Sequence, residues 1–325
     1  MNARNTPSVI AAGGDQGSDD MSTRAITAGP IGGRGNYERR PFNFGRWFRA
    51  TGWRHLVGWV MIVFSCFPLL FVLSSSLNPK GTLTGSNALF SAIGLDSYAR
   101  ILSSPDIPYA DWFLNTLIVA GITAIATVFL GALAAYSFSR MRFTGRRFGL
   151  ISIVIIQMFP QLLAVVAIFL LMSRIGDWFP ALGLNTHLGL IMVYLGGALG
   201  VNTYLMYGFF NTVPASIDEA AKIDGAGHAR IFFTIILRLV APILAVVALL
   251  SFIGTVNEYV VASVILIDPE QQTLAVGLTK LVSNPRYADW SAFSAGAVMA
   301  ALPVMALFLF LQKYIVGGLT AGSVK

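Results

Sequence analysis

The sequence predicts an all-α integral membrane protein with six transmembrane helices and both termini in the cytoplasm. Its 325 residues are 55% hydrophobic and only 11% charged, whereas soluble domains carry about 25% charged residues. The mean hydropathy is correspondingly high, at +0.70. Six stretches are also long and apolar enough to cross a bilayer, and the basic residues are concentrated on one side of them. These observations together exclude a soluble globular chain.

The predicted helices follow from the spacing of charged residues. A hydrocarbon core about 30 Å thick is crossed by roughly 20 apolar residues in a helix. Two helices are predicted near 188–210, after a loop-like stretch, and within 239–267, where Glu258 is the one formal charge. Charge alone leaves room for a seventh crossing within 178–217. The other four predicted helices lie in segments without Asp, Glu, Lys or Arg, namely 55–79, 112–139, 148–173 and 290–312.

The distribution of Lys and Arg orients these helices in the membrane. Seventeen of the 22 basic residues lie before the first helix, in the loops at 140–147 and 211–238, or at the C-terminus, and five lie in the opposite loops. Because cytoplasmic loops are enriched in Lys and Arg, both termini are predicted to face the cytoplasm. The net charge of +7 therefore reflects orientation rather than an acidic ligand.

The chain is predicted to divide into three parts. Residues 1–54 are rich in Gly, Asp, Ser and Arg and lack the apolar core of a cleaved signal peptide, which predicts a disordered basic cytoplasmic tail. Residues 55–317 would then form the membrane domain, with an external loop at 268–289. Residues 318–325 would form a cytoplasmic C-terminal tail.

The composition argues against catalysis by this chain. The single cysteine, Cys66, excludes an internal disulfide, and three scattered histidines leave little for a metal site. The sequence contains no phosphate loop, no H-E-x-x-H zinc motif and no G-x-S-x-G nucleophile turn. We therefore expect a protein that is not an enzyme and binds neither metal nor cofactor itself.

Several polar residues lie within predicted helices, where burial in lipid is costly. Pro160 removes a backbone donor, so its helix either lines a path or has a proline kink whose amides bond a neighbouring helix. Glu258 is interpreted as a substrate or proton site, a gating contact or a hydrogen-bond node near a helix end, with the last two favoured together. Gly196 and Gly200 form a G-x-x-x-G pair and favour helix packing. The candidate substrate path comprises Gln157, Gln161, Asn202, Asn257 and Glu258.

The loop at 211–238 contains a polar, small-residue segment, PASIDEAAKIDGAG, which starts at Pro214. It predicts a short helix, because Ser216 and Glu219 have the S-x-x-E spacing of a capping box and Gly225 can end the helix. The pattern fits either a docking helix or an amphipathic surface helix without a partner. The face predicted to be flat, and open to a partner, comprises Ile217, Ala220 and Ala221.

The segment EAAKIDGAG, followed by IILRLVAPIL, resembles the EAA loop of permease subunits in binding-protein-dependent ABC importers. The resemblance implies a type I ABC importer permease fold, in which this loop is a coupling helix that docks in a groove of a cytoplasmic ATPase subunit. Arg238 stands where the family pattern has proline, although Pro242 matches a second proline of the pattern. By the same resemblance, the ATPase-coupling residues are Glu219, Ala220, Ala221, Asp224 and Gly225.

The resemblance also implies the partners of the chain. They are a second, different permease subunit, which completes a heterodimer, two ATPase subunits, which use ATP and Mg, and an external sugar-binding protein. The expected location is the cytoplasmic (inner) membrane, with several crossings and no role for nucleic acid.

Shorter motifs resemble the smaller permease of maltose/maltodextrin importers, and this similarity covers roughly 55–325. It implies import of maltose, maltodextrin or a related oligosaccharide by alternating access. In that system the last external loop, here 268–289, reaches into the sugar-binding protein, and the C-terminal tail contacts the ATPase pair. The tail residues in question are Gly318, Leu319, Thr320, Ala321 and Gly322. The motifs are YSFSRMRF from Tyr136, QMFP from Gln157, GLNTH from Gly183, TLAVGL from Thr273 and GLTAGSVK from Gly318.

Two other classes of function stay open on the residues alone. A secondary transporter would use Glu258 as a proton-linked group and would take up sugar without ATPase subunits. A membrane scaffold or sensor that does not transport would use the loop at 211–238 to bind a partner without turnover.

Overall fold

A computed structural model describes residues 45, 48–79, 89–159, 161–286 and 288–321, and every regular element within these ranges is helical. The predicted tail 1–54 lies outside the described residues except for 45 and 48–54. Apart from short single turns, the helices in chain order are α1 (Trp53–Ser76), α2 (Asp96–Ser103), α3 (Tyr109–Arg140), α4 (Arg146–Gln157), α5 (Gln161–Trp178), α6 (His187–Phe210), α7 (Ala215–Ile223), α8 (His228–Leu239), α9 (Ala241–Asn257), α10 (Val260–Ile265), α11 (Leu274–Ser283) and α12 (Trp290–Ala321).

Four helices, α1, α3, α6 and α12, are each long and apolar enough to cross a membrane. They correspond to four of the six helices that the sequence predicts. Two bent pairs satisfy the same criterion only together: α4 with α5, inclined at 101°, and α8 with α9, inclined at 78°. The described chain therefore contains four candidate spans, or up to six if each bent pair counts as one.

The span predicted over 148–173 is interrupted between α4 and α5. The chain here contains Pro160, which has no N–H to continue the helical ladder. Just before it, the amides of Met158 and Phe159 bond carbonyls only three residues earlier, which tightens the last turn of α4. The break thus lies where the sequence has Pro160, in agreement with the interruption that a proline causes within a helix.

The helix predicted to run through Glu258 is instead broken there. Glu258 is extended, with ψ 120°, and α10 begins two residues later. Its carboxylate accepts hydrogen bonds from the amides of Val261 (2.8 Å) and Ala262 (3.0 Å), and so caps the start of α10. The prediction of one continuous helix within 239–267 is wrong, because the carboxylate takes the place of the backbone carbonyls as partner of these amides.

α3 is the central helix of the described fold and packs against α6 and α9. Its buried face includes Ala120, Ala124, Ala132 and Ala135, whose small side chains allow neighbouring helices to approach closely. The C-terminal end of α3 belongs to a cluster of buried apolar side chains that includes Tyr136, Phe210 and Phe232. Its N-terminal end belongs to another cluster, with Tyr109, Trp112, Leu274 and Leu278.

The chain divides at Gly58 into two compact units, and the second, Trp59–Lys325, contains all the helices that follow α1. Along α1 only Ser74, Ser75 and Ser76 are buried. The Ser74 hydroxyl accepts a hydrogen bond from the Phe90 amide at 2.7 Å. The C-terminal end of α1 is thus fixed by hydrogen bonds, while most of the apolar side chains along the helix are exposed.

Candidate functional site

The segment that the sequence predicts as a helix in the 211–238 loop forms α7. The N-cap position is Pro214, with φ −58° and no side-chain capping bond, and Ser216 lies inside the helix. The predicted capping box of Ser216 and Glu219 is therefore wrong. The physical reason is that proline already has the φ required near a helix start, so the helix begins one residue after Pro214.

The C-terminal end of α7 is a Schellman motif, as the predicted role of Gly225 requires. Gly225 has φ +79° and its amide bonds the carbonyl of Lys222 at 3.0 Å. The amide of Ala226 bonds the carbonyl of Ala221 at 2.9 Å. These two bonds satisfy carbonyls that the end of a helix leaves unpaired, and the left-handed conformation favours glycine.

The two faces of α7 differ in what they contact. Asp218 and Ala221 are buried, and Ile217 is half-buried against the cluster around Phe210 and Phe232. The prediction that Ile217 and Ala221 share an open face with Ala220 is therefore wrong, because residues four apart on a helix share a face and this one turns inward. The outward face comprises Ser216, Glu219, Ala220 and Ile223, followed by the exposed Asp224 and Gly225.

Ile223 is the large apolar residue of the outward face and was not among the predicted coupling residues. Its side chain is 87% exposed although it lies in the last turn of α7. An isoleucine as exposed as this, beside the small side chain of Ala220 and the carboxylate of Glu219, gives α7 an apolar contact point with an acidic neighbour. The spacing of 219, 220 and 223 already put these three residues on one helical face.

α7 is held against α3 by a buried ion pair. The Arg140 Nε lies 2.8 Å from the Asp218 Oδ2, and the two side chains are only 11% and 8% exposed. Arg140 also donates from Nη2 to the carbonyl of Val213 at 2.7 Å, just before α7. Ser139 Oγ also donates to Asn211 Oδ1 at 3.0 Å, which joins α3 to the end of α6. The sequence prediction did not include Arg140 and Asp218 among the candidate site residues. The feature of the sequence that could have indicated this pair is the single acidic residue on the inward face of α7.

The chain bends sharply between α8 and α9 even though Arg238 replaces the proline of the family pattern. Arg238 is exposed and lies within the last turn of α8. Val240 forms the junction with φ −95° and ψ 6°, and Pro242 occupies the first turn of α9. Pro242 is therefore sufficient for the break, because proline has no N–H that could bond a backbone carbonyl of the preceding turn.

The candidate path residues do not converge on one polar site. Gln157 Nε2 donates to the Gly197 carbonyl at 2.8 Å, which joins α4 to α6. Asn202 and Asn257 each donate to a carbonyl four residues earlier in their own helices. The side chain of Gln161 lies outside the described residues. A Cβ at Gly200 would lie 2.1 Å from Gln157 Nε2, so the glycine is what lets the amide lie on α6.

Glu258 is a hydrogen-bond node at the break between α9 and α10. Besides capping α10, its Oε2 accepts the Tyr194 hydroxyl at 2.6 Å, which joins it to α6. Both carboxylate oxygens therefore have donors from the chain itself. This geometry agrees with the interpretation of Glu258 as a structural node near a helix end. The adjacent Asn257 and Tyr259, with Thr279, are the polar lining of an otherwise apolar cleft of about 620 Å³.

Most of the external-loop candidate, 268–289, is folded against the helices. A single turn, Pro269–Gln271, precedes α11, whose Leu274, Val276 and Leu278 are buried. Two parts are exposed: residues 268–270, and Lys280 with 283–286, the latter next to an ion pair of 3.3 Å between Arg100 and Asp289.

The C-terminal candidate residues begin as helix rather than as tail. α12 continues through Gly318, Leu319 and Thr320 to Ala321, while Gly322 lies outside the described residues. The side chains from residue 316 onwards are likewise outside the part of the chain that the structure describes.

Comparison with known proteins identifies the chain's relatives. Residues 127–320 match the family of binding-protein-dependent transport system inner membrane components. The chain is 42% identical over 259 residues to the maltodextrin transport system permease protein MdxG of Bacillus subtilis, covering 80% of this chain and 90% of that protein. It is 41% identical to the maltose/maltodextrin permease MalG of Escherichia coli K12, covering 83% and 94%. It is 38% identical to the galactooligosaccharide permease GanQ of Bacillus subtilis, covering 82% and 92%.

A solved structure supports the same fold. A chain of a bacterial ABC transporter that imports the acidic polysaccharide alginate has a TM-score of 0.70 at 23% identity, covering 85% of this chain and 99% of that one. The family match and the identity to the curated relatives show that this chain belongs to the binding-protein-dependent transport system inner membrane components, and that it is a non-catalytic permease subunit of an ABC sugar importer.

Proposed function

We propose that this permease subunit imports maltose, maltodextrin or a related oligosaccharide by alternating access, driven by ATP hydrolysis in partner subunits. Relatives that cover most of the chain carry maltose/maltodextrin and galactooligosaccharides by name, which supports a neutral oligosaccharide as the substrate class. The single observation that carries the mechanism is the arrangement of α7. Its outward face, with Glu219, Ala220 and Ile223, is exposed, while its inward face is fixed to α3 by Arg140 and Asp218.

This arrangement suits a coupling helix. A partner that moves α7 must move the end of α3 with it, because separating the helices would leave two buried charges unpaired. The exposed Glu219 and Asp224 favour a basic rim on the partner, and Ile223 favours an apolar pocket within it. A groove of an ATPase subunit with these properties would receive α7, and Mg-ATP would be bound there and not by this chain.

The full assembly we propose contains a second, different permease subunit, two ATPase subunits and an external sugar-binding protein. The distribution of basic residues supports six crossings of the inner membrane with both termini cytoplasmic. In this orientation α7 faces the ATPase subunits, and the exposed 283–286 segment faces the binding protein. The C-terminal residues 318–322 are proposed to contact the ATPase pair.

Glu258 does not favour the rival assignment to a proton-coupled transporter. A proton carrier must exchange its proton with water or substrate, whereas the Glu258 oxygens accept bonds from Tyr194 and from two amides of α10. The scaffold or sensor interpretation predicts a partner bound at α7 without turnover.

Co-purification tests these alternatives together. The tagged chain should bring down an ATPase subunit and a second permease, and ATP hydrolysis by the complex should rise when binding protein and sugar are added. A competition panel of maltose, maltotriose, trehalose and galactooligosaccharides in the uptake assay then names the substrate. Sugar accumulation by the chain alone in liposomes, driven by a proton gradient, would contradict the proposal.

A further inference from the structure

Asn185, in the turn between α5 and α6, has a backbone conformation that few side chains adopt. Its φ is +60°, and it is one of two non-glycine residues with positive φ among the described residues. Asparagine tolerates the left-handed region better than most residues, but the conformation persists only where the surroundings determine it. The bonds that Asn185 makes are therefore informative.

These bonds go to the last residue of α10 and to the segment between α10 and α11, far away in sequence. The Asn185 amide donates to the Ile265 carbonyl at 2.8 Å. Its Oδ1 accepts the amides of Ile267 (3.1 Å) and Asp268 (3.0 Å), and its Nδ2 donates to the Asp268 carboxylate. Nearby, His187 Nε2 donates to the Gln271 carbonyl at 2.9 Å. The GLNTH motif thus holds one side of residues 265–271.

α3 holds the other side of the same segment. Asn115 Nδ2 donates to the carbonyls of Glu270 (2.7 Å) and Gln272 (3.1 Å). One turn before Asn115, Trp112 Nε1 donates to the Pro269 carbonyl at 2.7 Å. Directly after it, Thr116 Oγ1 accepts the Leu274 amide at 2.8 Å. Asn115 is only 9% exposed, so its amide is committed to these carbonyls.

The TLAVGL motif completes this attachment. A Cβ at Gly277 would lie 2.1 Å from Trp112 Cδ2, so only glycine lets the indole lie against α11. The external loop therefore has two parts. The base, residues 265–278, is fixed to α3 and to the α5–α6 turn, although its residues 267–270 are exposed; the tip is residues 280–286, of which Lys280 and 283–286 are exposed. The base cannot shift relative to α3 without losing several hydrogen bonds between α3 side chains and the main chain of the base at once.

The opposite end of α3 bears Arg140, which holds α7. Asn115 and Arg140 are separated by about 38 Å along one continuous helix, at 1.5 Å per residue. A force on the external tip thus reaches α7 through a single element, without an intervening loop. Polar clamps at both ends of one helix are more than the packing of this fold requires, since apolar clusters already hold both ends.

We propose that Asn115 and Asn185 are positioning residues that keep the base of the external loop rigid, so that docking of the external binding protein on the tip is transmitted to α3. This inference rests on the proposed function, because it takes the binding protein as the ligand of the tip. It adds two residues, both at the base of the external loop, that set how strongly the binding protein stimulates the transporter.

The test uses the assembled transporter, with both permease subunits and the ATPase subunits, and measures ATP hydrolysis against binding-protein concentration at saturating sugar. Asn185→Gly removes the clamp but retains freedom at positive φ, and Asn115→Ala removes the clamp on α3. Ser263→Ala is the matched control, because its hydroxyl bonds only the Val260 carbonyl of its own helix. A thermal melt of each complex separates docking from folding.

We expect both asparagine variants to raise the binding-protein concentration for half-maximal ATPase stimulation about ten-fold, equivalent to about 1.4 kcal/mol, with the maximal rate retained. Ser263→Ala should match the wild type. Unchanged concentration dependence in both variants, or a lowered melting temperature without a shift in that concentration, overturns the inference. If the wild-type complex is itself not stimulated by binding protein, it is the proposed function that fails.

Discussion

Arg140, the last residue of α3, and Asp218, on the inward face of α7, form an ion pair of 2.8 Å in which neither side chain is more than 11% exposed. The pair joins a long apolar helix to the short polar helix that we propose as the ATPase contact. Removing one partner of a buried ion pair leaves an unpaired buried charge, whereas removing both partners does not.

Removal of either partner of this pair should therefore be far more harmful than removal of both. Arg140→Met or Asp218→Leu leaves one charge buried and should destabilise the chain by about 3–5 kcal/mol, whereas the double variant should recover most of that loss. A double-mutant cycle on the unfolding of the purified subunit in detergent measures this. Arg142→Met, at an exposed position two residues away, serves as the control. Additive effects of the two single changes would show that the pair contributes nothing.

Substitutions at Gly225 should change stability through the backbone conformation at this position and not through side-chain volume. A Cβ there would meet nothing within 4 Å, but φ is +79°. Gly225→Ala should destabilise the end of α7 by about 1 kcal/mol, and Gly225→Asn by less. Gly227 has equally open surroundings with φ −73°, so Gly227→Ala is the matched control and should leave stability unchanged. Thermal melts of the four proteins give the order; equal effects at 225 and 227 would exclude the conformational explanation.

The two glycines of the G-x-x-x-G pair in α6 should respond differently to alanine. A Cβ at Gly200 would lie 2.1 Å from Gln157 Nε2, whereas one at Gly196 would meet nothing within 4 Å. Gly200→Ala should displace the amide from the Gly197 carbonyl and cost about 1 kcal/mol, while Gly196→Ala should be neutral. Combining Gly200→Ala with Gln157→Ala should cost no more than Gln157→Ala alone, because the hydrogen bond is lost in both and no side chain is left to clash. If the double variant loses the sum of the two single effects, the contact does not explain the glycine.

Glu258 should be replaceable by glutamine but not by alanine. Glutamine retains an acceptor oxygen for the α10 amides, whereas alanine leaves the nearly buried Tyr194 hydroxyl and two amides without it. ATP-driven sugar uptake by the assembled transporter should thus persist in Glu258→Gln and fall sharply in Glu258→Ala. Complete loss in both variants at normal expression would instead point to proton transfer at this carboxylate.

Much of the fold was predictable from the sequence because segments that cross the lipid contain few or no charged residues. Charge-free segments located the four long helices, and Pro160 located a break. The break at Glu258 was missed because a helical period does not reveal that a carboxylate will bond amides three and four residues ahead. The six residues of α10, five of them apolar, were accordingly assigned to the preceding span.

The position of the candidate site was predictable from the sequence, but which face of α7 packs inward was not. The EAA-like pattern located α7 and its end at Gly225, since a glycine at positive φ follows from the chemistry of helix ends. The inward face was assigned to a partner because alanine is equally suited to a docking surface and to a close internal contact. The pairing of Arg140 with Asp218, and the clamp of Asn185 on a segment some 80 residues later, depend on tertiary packing that no local pattern encodes.

The measurement that tests the central claim most directly is ATP hydrolysis and sugar uptake on the same proteoliposomes, with the assembled transporter carrying wild-type chain, Glu219→Lys or Gly225→Trp. Glu219 is exposed on α7 and Gly225 is exposed just after its C-terminal end, and neither takes part in the attachment of α7 to α3. Both variants should assemble, and ATP hydrolysis should no longer drive uptake. Normal uptake per ATP hydrolysed in both variants would contradict the assignment of α7 as the element that couples this permease to its ATPase.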